Sequence, residues 1–290
     1  MMEQDFLRLI YPQWQGGNIA SWFPDFEPQK ISVGYSLGAE LLNFLCPYSS
    51  NVKQVPVSFK ATERGEKDGI LDKVPLCEQI AAALDILRTE GPNKVLTLGG
   101  DCSVSVPVFS YLASKSPENT AIIWMDAHPD ITLPGDAYNG FHAMALSACL
   151  GEGDPDILSL LPGKVLKKNV LTLGVRNFER NEIVKRFNDW GIENIRPAEL
   201  EKDTVKIEDW LKARNIENVL VHLDLDVLEP SQIQAAVGKD SHGLTIKTVL
   251  NCISAISRKA NIIGFTIAEP MPRTAILLKE MLNQLPLTHL

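Results

Sequence analysis

The strongest constraint on the fold is a repeated grammar of short, continuous apolar runs. Lys94-Val-Leu-Thr-Leu98, Ala121 to Met125, Asn169 to Val175, Asn218 to Leu223 and Asn261 to Ile267 read as strands buried on both faces. Stretches with apolar residues at helical spacing lie between them, among them Cys77 to Leu87, Val104 to Ser114, Glu182 to Trp190, Ile207 to Ala213 and Thr245 to Ser257. Strands of this kind need cover on both sides. The pattern therefore predicts an α/β chain built on a mainly parallel sheet between two helical layers. No repeat, low-complexity tract or linker divides the 290 residues, so a single domain over residues 1–290 is expected. Upstream, Phe6 to Tyr11 reads as a further strand, Trp14-Gln15-Gly16-Gly17 as a loop, and Gly34 to Leu45 as a helix ended by Pro47. Ala61 to Asp72 reads as a solvated connection.

The five strands share a second property that packing does not require: each ends on polar or glycine-rich residues. The clusters are Gly99-Gly-Asp-Cys-Ser103, Asp126-Ala-His-Pro-Asp130, Arg176-Asn-Phe-Glu179, Asp224-Leu-Asp226 and Glu269-Pro270. In a parallel sheet ligands bind at the carboxyl ends of the strands, so these clusters are expected to gather on one edge. Extended backbone would place Asp126, His128 and Asp130 on one side, and Asp224 and Asp226 repeat that spacing. Carboxylate oxygens with an imidazole nitrogen suit divalent cations of moderate hardness. Such a group exceeds what one ion needs, and its acids would repel one another unless cations neutralise them. Two ions sharing bridging carboxylates would do so, and such pairs clamp a hydroxide as nucleophile.

Composition narrows the partners. With 28 basic against 36 acidic residues the net charge is -8, which disfavours nucleic acid and anionic membrane surfaces and favours a small cationic or neutral substrate. No apolar run is long enough to cross a bilayer. The five cysteines are scattered, odd in number and without a CxxC pair, as in a reducing compartment, and the start lacks a secretory pattern, so a cytoplasmic location is expected.

Taken together, Gly-Gly-Asp-Cys-Ser, Asp-Ala-His-Pro-Asp and His-Leu-Asp-Leu-Asp-Val-Leu-Glu-Pro resemble the three metal motifs of the arginase and agmatinase (ureohydrolase) family, over roughly Lys94 to Pro272. The resemblance implies a three-layer αβα fold, a binuclear manganese centre, hydrolysis of a guanidino C–N bond to release urea, and assembly into homo-oligomers. Carried over by residue, Asp126 and Asp224 would bridge the ions, Asp130 would complete the first site, and His128 and Asp226 the second. Glu269 would hold the guanidinium, and His142 in Asn139-Gly-Phe-His-Ala would shuttle a proton.

The departures from the family pattern are equally specific. Cys102 stands where the family has the histidine of Gly-Gly-Asp-His-Ser. A thiolate ligand is softer than imidazole, which would move preference from manganese towards zinc, iron or cobalt, or leave a single ion bound. Glu229 replaces the usual aspartate within the third motif, outside the expected ligand set. Thr132 to Tyr138 lacks the Asn and Ser pattern that grips an amino acid, and Ala235 to His242 replaces a Gly-Thr-rich loop, so arginine is not the expected substrate. Thr132, Tyr138 and Glu179 are the candidates for substrate contact besides Glu269, with Glu182 close behind. His222 is expected to be a core histidine on the face opposite Asp224, His242 an exposed loop residue, and His289 part of a fraying terminus. Two other readings stand beside the leading one: a single-zinc amide hydrolase similar to metal-dependent deacetylases, and a non-catalytic family member serving as a binding or assembly subunit.

Overall fold

The structure is a computed structural model that describes residues 5–19, 28–59 and 64–285. The start of the chain, the first residues of the Ala61 to Asp72 connection and His289 lie outside the described residues. Strands β1 (Phe6–Tyr11), β2 (Val52–Gln54), β5 (Lys94–Gly99), β6 (Thr120–Met125), β7 (Val170–Leu173), β8 (Glu193–Ile195), β9 (Asn218–Asp224) and β10 (Asn261–Ala268) form one sheet, ordered β2-β1-β5-β10-β9-β6-β7-β8. Every neighbouring pair in it is parallel. Short β3 (Glu66–Lys67) and β4 (Ile70–Leu71) make a separate antiparallel hairpin where the sequence reads as solvated connection. The helices are α1 (Pro28–Leu45), α2 (Lys73–Glu90), α3 (Ser105–Lys115), α4 (Ala145–Cys149), α5 (Pro155–Leu160), α6 (Asn181–Asp189), α7 (Pro197–Leu200), α8 (Val205–Ala213), α9 (Ile246–Lys259) and α10 (Arg273–Leu282).

The three layers follow from strand periodicity. Along β6, Ile122 and Trp124 join one core cluster with residues of α2 to α6, while Ala121, Ile123 and Met125 join another with residues of α7, α8 and α9. A smaller third cluster links Tyr35 of α1 and Ile276 of α10 with Trp14, Val237 and Met271. The recurring apolar runs of the sequence are thus the central strands, covered on both faces.

The strand order also places the site. The chain builds β1, β2 and β5 on one side, crosses to β6, β7 and β8 on the other, and returns to fill the gap with β9 and β10. Because the sheet is parallel, the carboxyl ends of its central strands lie along one edge, where ligands bind in folds of this kind. The polar ends of β5, β10, β9 and β6 meet there.

Candidate metal centre

Each expected ligand leaves its strand by a turn rather than by continued extension. β6 stops at Met125, and the Asp126 carboxylate then accepts the backbone N–H of His128 at 2.6 Å, folding the chain back on itself. Asp130 sits in the left-handed region, with φ 47°. β9 stops at Asp224, whose carboxylate accepts the N–H of Asp226 at 2.7 Å at the head of a 3-10 turn, Leu225–Val227. Alternate spacing therefore brings these groups together by way of aspartate-capped turns, which is a correction to the extended reading. Cys102 opens another 3-10 turn, Cys102–Val104, capped by Asp101 through the N–H of Ser103 at 3.0 Å.

Two overlapping groupings result. One ligand atom each from Cys102, Asp126, Asp130 and His222 lie within 4.8 Å of one another, and so do atoms of Asp126, His128 and Asp226. Asp224 joins them through its Oδ2, 3.0 Å from the Cys102 sulfur. In the second grouping His128 Nδ1 lies 3.1 Å from Asp226 Oδ2 and 3.5 Å from Asp126 Oδ1. The site has almost no solvent: Cys102, Asp126, Asp130, Asp224, Asp226 and His222 are all buried. Gly238 allows its loop to close over the cluster, since a side chain there would begin 2.5 Å from Asp226 Oδ2.

Electrostatics test whether cations fit. Burial, with the charge of Asp226 beside it, pushes Asp126 up to about 6. Burial and neighbouring carboxylates likewise raise Asp130 and Asp224, and burial with Asp224 close by raises the Cys102 thiol well above its ordinary value. Asp226 alone goes the other way: burial opposes its ionisation, but His128 outweighs this and holds it at about 2. His128 is raised in turn, burial opposing and Asp226 prevailing. Asp130 Oδ2 is buried with no hydrogen-bond partner. Packed acids that resist ionisation, around an orphaned oxygen, fit divalent cations.

The other expected residues gather beside this cluster. Glu269 is buried at φ 60°, just past β10, and its Oε1 accepts the Cys102 N–H at 3.1 Å. His142 Nδ1 lies 3.4 Å from Glu269 Oε1, and His142 Nε2 is 2.7 Å from the Tyr138 hydroxyl, which also accepts the Asn18 N–H at 2.9 Å. Burial lowers His142 and the Glu269 hydrogen bond more than offsets it, leaving its pKa raised. Thr132, Tyr138, His142, Glu179 and Glu269 line one cleft with Cys102, His128, Asp130, Asp224 and Asp226, and Phe178 and Ile183 give it an apolar wall. Glu182 instead faces solvent in the first turn of α6. Glu229 is occupied by the N–H groups of Ser231 and Gly243, and exposed His242 borders a different depression, as expected of each.

Four contributors escape the sequence reading. His222 lies on the same face as Asp224, not the opposite one, because residues two apart in a strand share a face; burial holds it neutral, at about 3. Tyr35, fully buried on α1, donates its hydroxyl to Glu269 Oε2 at 2.5 Å. Asp240 Oδ2 lies 3.4 Å from His128 Nε2 and orients that ring from a loop with no motif of its own. Asp101 is fully buried and anchors Gly16 N–H at 2.9 Å and the amide of Gln13, tying the first loop to the turn that carries Cys102. The Gly-Gly-Asp sequence was a signal for Asp101, and strand parity was one for His222; Tyr35 and Asp240 come from remote segments without any.

The model of the arginase family matches residues 40–277. An arginase of Staphylococcus aureus (strain MRSA252) is 27% identical over 185 residues, which cover 61% of this chain and 60% of that protein. The chain thus spans about three fifths of the length of that curated relative. Among solved structures, Entamoeba histolytica arginase in complex with L-ornithine superposes with a TM-score of 0.73 at 17% identity, over 95% of this chain and 96% of the other. Formimidoylglutamase from Bacillus subtilis subsp. subtilis str. 168 follows at 0.68 and 16%, over 92% and 79%. The shared architecture is the three-layer α/β fold with a parallel sheet. No described helix is long and apolar enough to cross a membrane.

Proposed function

The chain belongs to the arginase family, and from that premise we propose that it is a metal-dependent hydrolase of linear C–N bonds acting on a small guanidino compound. The observation that carries the reading is the shared cleft, where a buried carboxylate, Glu269, and a proton-carrying imidazole, His142, stand beside a cluster built for cations. Asp126 and Asp224 would help hold two ions, with Cys102 and Asp130 at the first position and His128 and Asp226 at the second. Divalent cations held there would supply Lewis acidity and an acidified water at neutral pH. Manganese is the family's expectation, and the Cys102 sulfur favours zinc, iron or cobalt at the first position.

The chain's own groups do the rest. Glu269 orients a planar cation through paired hydrogen bonds, with Tyr35 fixing its outer oxygen. His142 holds a proton between Glu269 and the Tyr138 hydroxyl and delivers it to the departing amine. Phe178 and Ile183 exclude water from one wall. Glu179 and Thr132 meet the far end of the substrate, where the changed loops argue against arginine itself. Homo-oligomeric assembly and a cytoplasmic location belong to the same proposal. The test is turnover of a panel of guanidino compounds by protein loaded with manganese, zinc or cobalt, read as urea or amine release. Release that vanishes in Glu269→Gln and His142→Ala supports the reading; no release from any compound with any metal contradicts it.

A further inference from the structure

His222 lies inside β9, fully buried, two residues before Asp224 and on the same face. Its Nδ1 is 2.8 Å from the Ser105 hydroxyl, while Nε2 has no hydrogen-bond partner. One of its ring nitrogens lies within 4.8 Å of the Cys102 sulfur and of carboxylate oxygens of Asp126 and Asp130. Asp130 brings a second orphan to the same place, its buried Oδ2. Buried polar atoms ordinarily find partners, and two unpaired ligand atoms beside one thiol and one further carboxylate point to an absent cation.

The surroundings hold the imidazole for that use. Trp124 is its partner in the register of β6 and β9, and the two rings stack with centroids 3.6 Å apart and planes 7° from parallel. The same indole donates Nε1–H to Asp126 Oδ2 at 2.9 Å, so one side chain orients two members of the cluster. A metal-binding imidazole characteristically donates its other N–H to a fixed acceptor, and the Ser105 hydroxyl is placed to receive it from Nδ1. That tautomer leaves the lone pair on Nε2.

We propose that His222 is a ligand of the first metal position, acting through Nε2 with Cys102, Asp126 and Asp130, and that this sulfur and nitrogen pair makes the position select zinc, cobalt or iron over manganese. The assignment rests on the reading of the cluster as a metal centre and extends it to a residue outside the resemblance. Thiolate and imidazole together are the softer, borderline donors, whereas manganese keeps to oxygen-rich sites. The competing account of the orphaned nitrogen is a buried water shared with Thr266, the register partner of His222 on β10, whose Oγ1 also lacks a hydrogen-bond partner.

The experiment uses the full chain carrying nitrogen-15 in its five histidines, titrated with zinc, with cobalt followed in parallel by absorption. Expected are a sulfur-to-cobalt charge-transfer band that Cys102→Ser abolishes, and a shift of the His222 Nε2 resonance to a metal-bound position at the first equivalent of zinc. In chelator competition His222→Gln is expected to bind cobalt at least about tenfold more weakly, with its manganese binding far less affected. The nitrogen-15 measurement is made on the wild-type chain, so it stands whether or not the variant folds. A sulfur band with an unmoved His222 resonance overturns the assignment and leaves the metal-centre reading intact. Failure of the wild type to bind zinc, cobalt or manganese overturns both.

Discussion

Removing a single oxygen atom, by Tyr35→Phe, tests how Glu269 is held. The Tyr35 hydroxyl reaches Glu269 Oε2 at 2.5 Å with the tyrosine fully buried and the glutamate 3% exposed, so solvent cannot replace the contact. Hydrogen bonds to charged groups contribute roughly 1.5–3 kcal/mol, and leaving the acceptor unpaired costs a comparable amount. The ring stays, and with it the packing against the third core cluster, so no large cavity opens. The expected loss is about 2 kcal/mol, read by urea denaturation of metal-loaded protein followed by tryptophan fluorescence. Glu269 should also lose its fixed orientation, because its remaining partners, the Cys102 N–H and thiol and His142, all act on Oε1. Substrate affinity is then expected to fall about tenfold, the equivalent of 1.4 kcal/mol, with metal content unchanged. A stability change below about 0.5 kcal/mol together with wild-type KM would refute the reasoning, because a buried bond to a carboxylate cannot be that weak.

Other outcomes follow from the same contacts. Lys73, 3% exposed, binds Asp154 at 2.7 Å and also reaches Asp68 and Asp156; Lys73→Met should cost roughly 3 kcal/mol, and a loss under 1 kcal/mol in urea melts would count against a buried ion pair there. Asp240→Ala removes the group facing His128 Nε2 and should weaken metal binding by about 10- to 100-fold in chelator competition; unchanged binding would show that Asp240 does not orient the ring. Asp101 is raised to about 6 by burial and then by Glu269. A group raised in the folded state stabilises it below the unfolded value and loses that contribution as pH rises through the folded one. Metal-free wild type should therefore lose roughly 2.4 kcal/mol relative to Asp101→Asn between pH 4 and pH 7, and urea melts with a constant difference would contradict this.

Much of the fold was legible because the central strands are unusual in sequence. Runs such as Ala121 to Met125 have no polar face, and only a strand covered on both sides needs that. Edge strand β8, three residues long and half exposed, carries no such signal. Helix α1 begins at Pro28, ahead of the Gly34 expected from apolar spacing. The clustering of these side chains was legible from spacing, though for an incomplete reason: aspartate-capped turns, not extended chain, fold Asp126 towards Asp130 and Asp224 towards Asp226. His222 was misplaced although period-two geometry puts it beside Asp224, so the sequence held the answer. Tyr35 was out of reach of sequence reasoning, since its partner Glu269 is 234 positions away and tertiary packing alone joins them.

The most direct test of the central claim is the number of metal ions per chain, measured by elemental analysis of protein purified without added metal and again after loading and gel filtration. The overlapping groupings around Asp126, with acids that burial and mutual repulsion keep from ionising, predict close to two divalent ions per chain. They also predict uptake that strengthens as pH rises through about 6, where Asp126 loses its proton. A count that stays at one ion or none, under every loading condition, would contradict a binuclear centre.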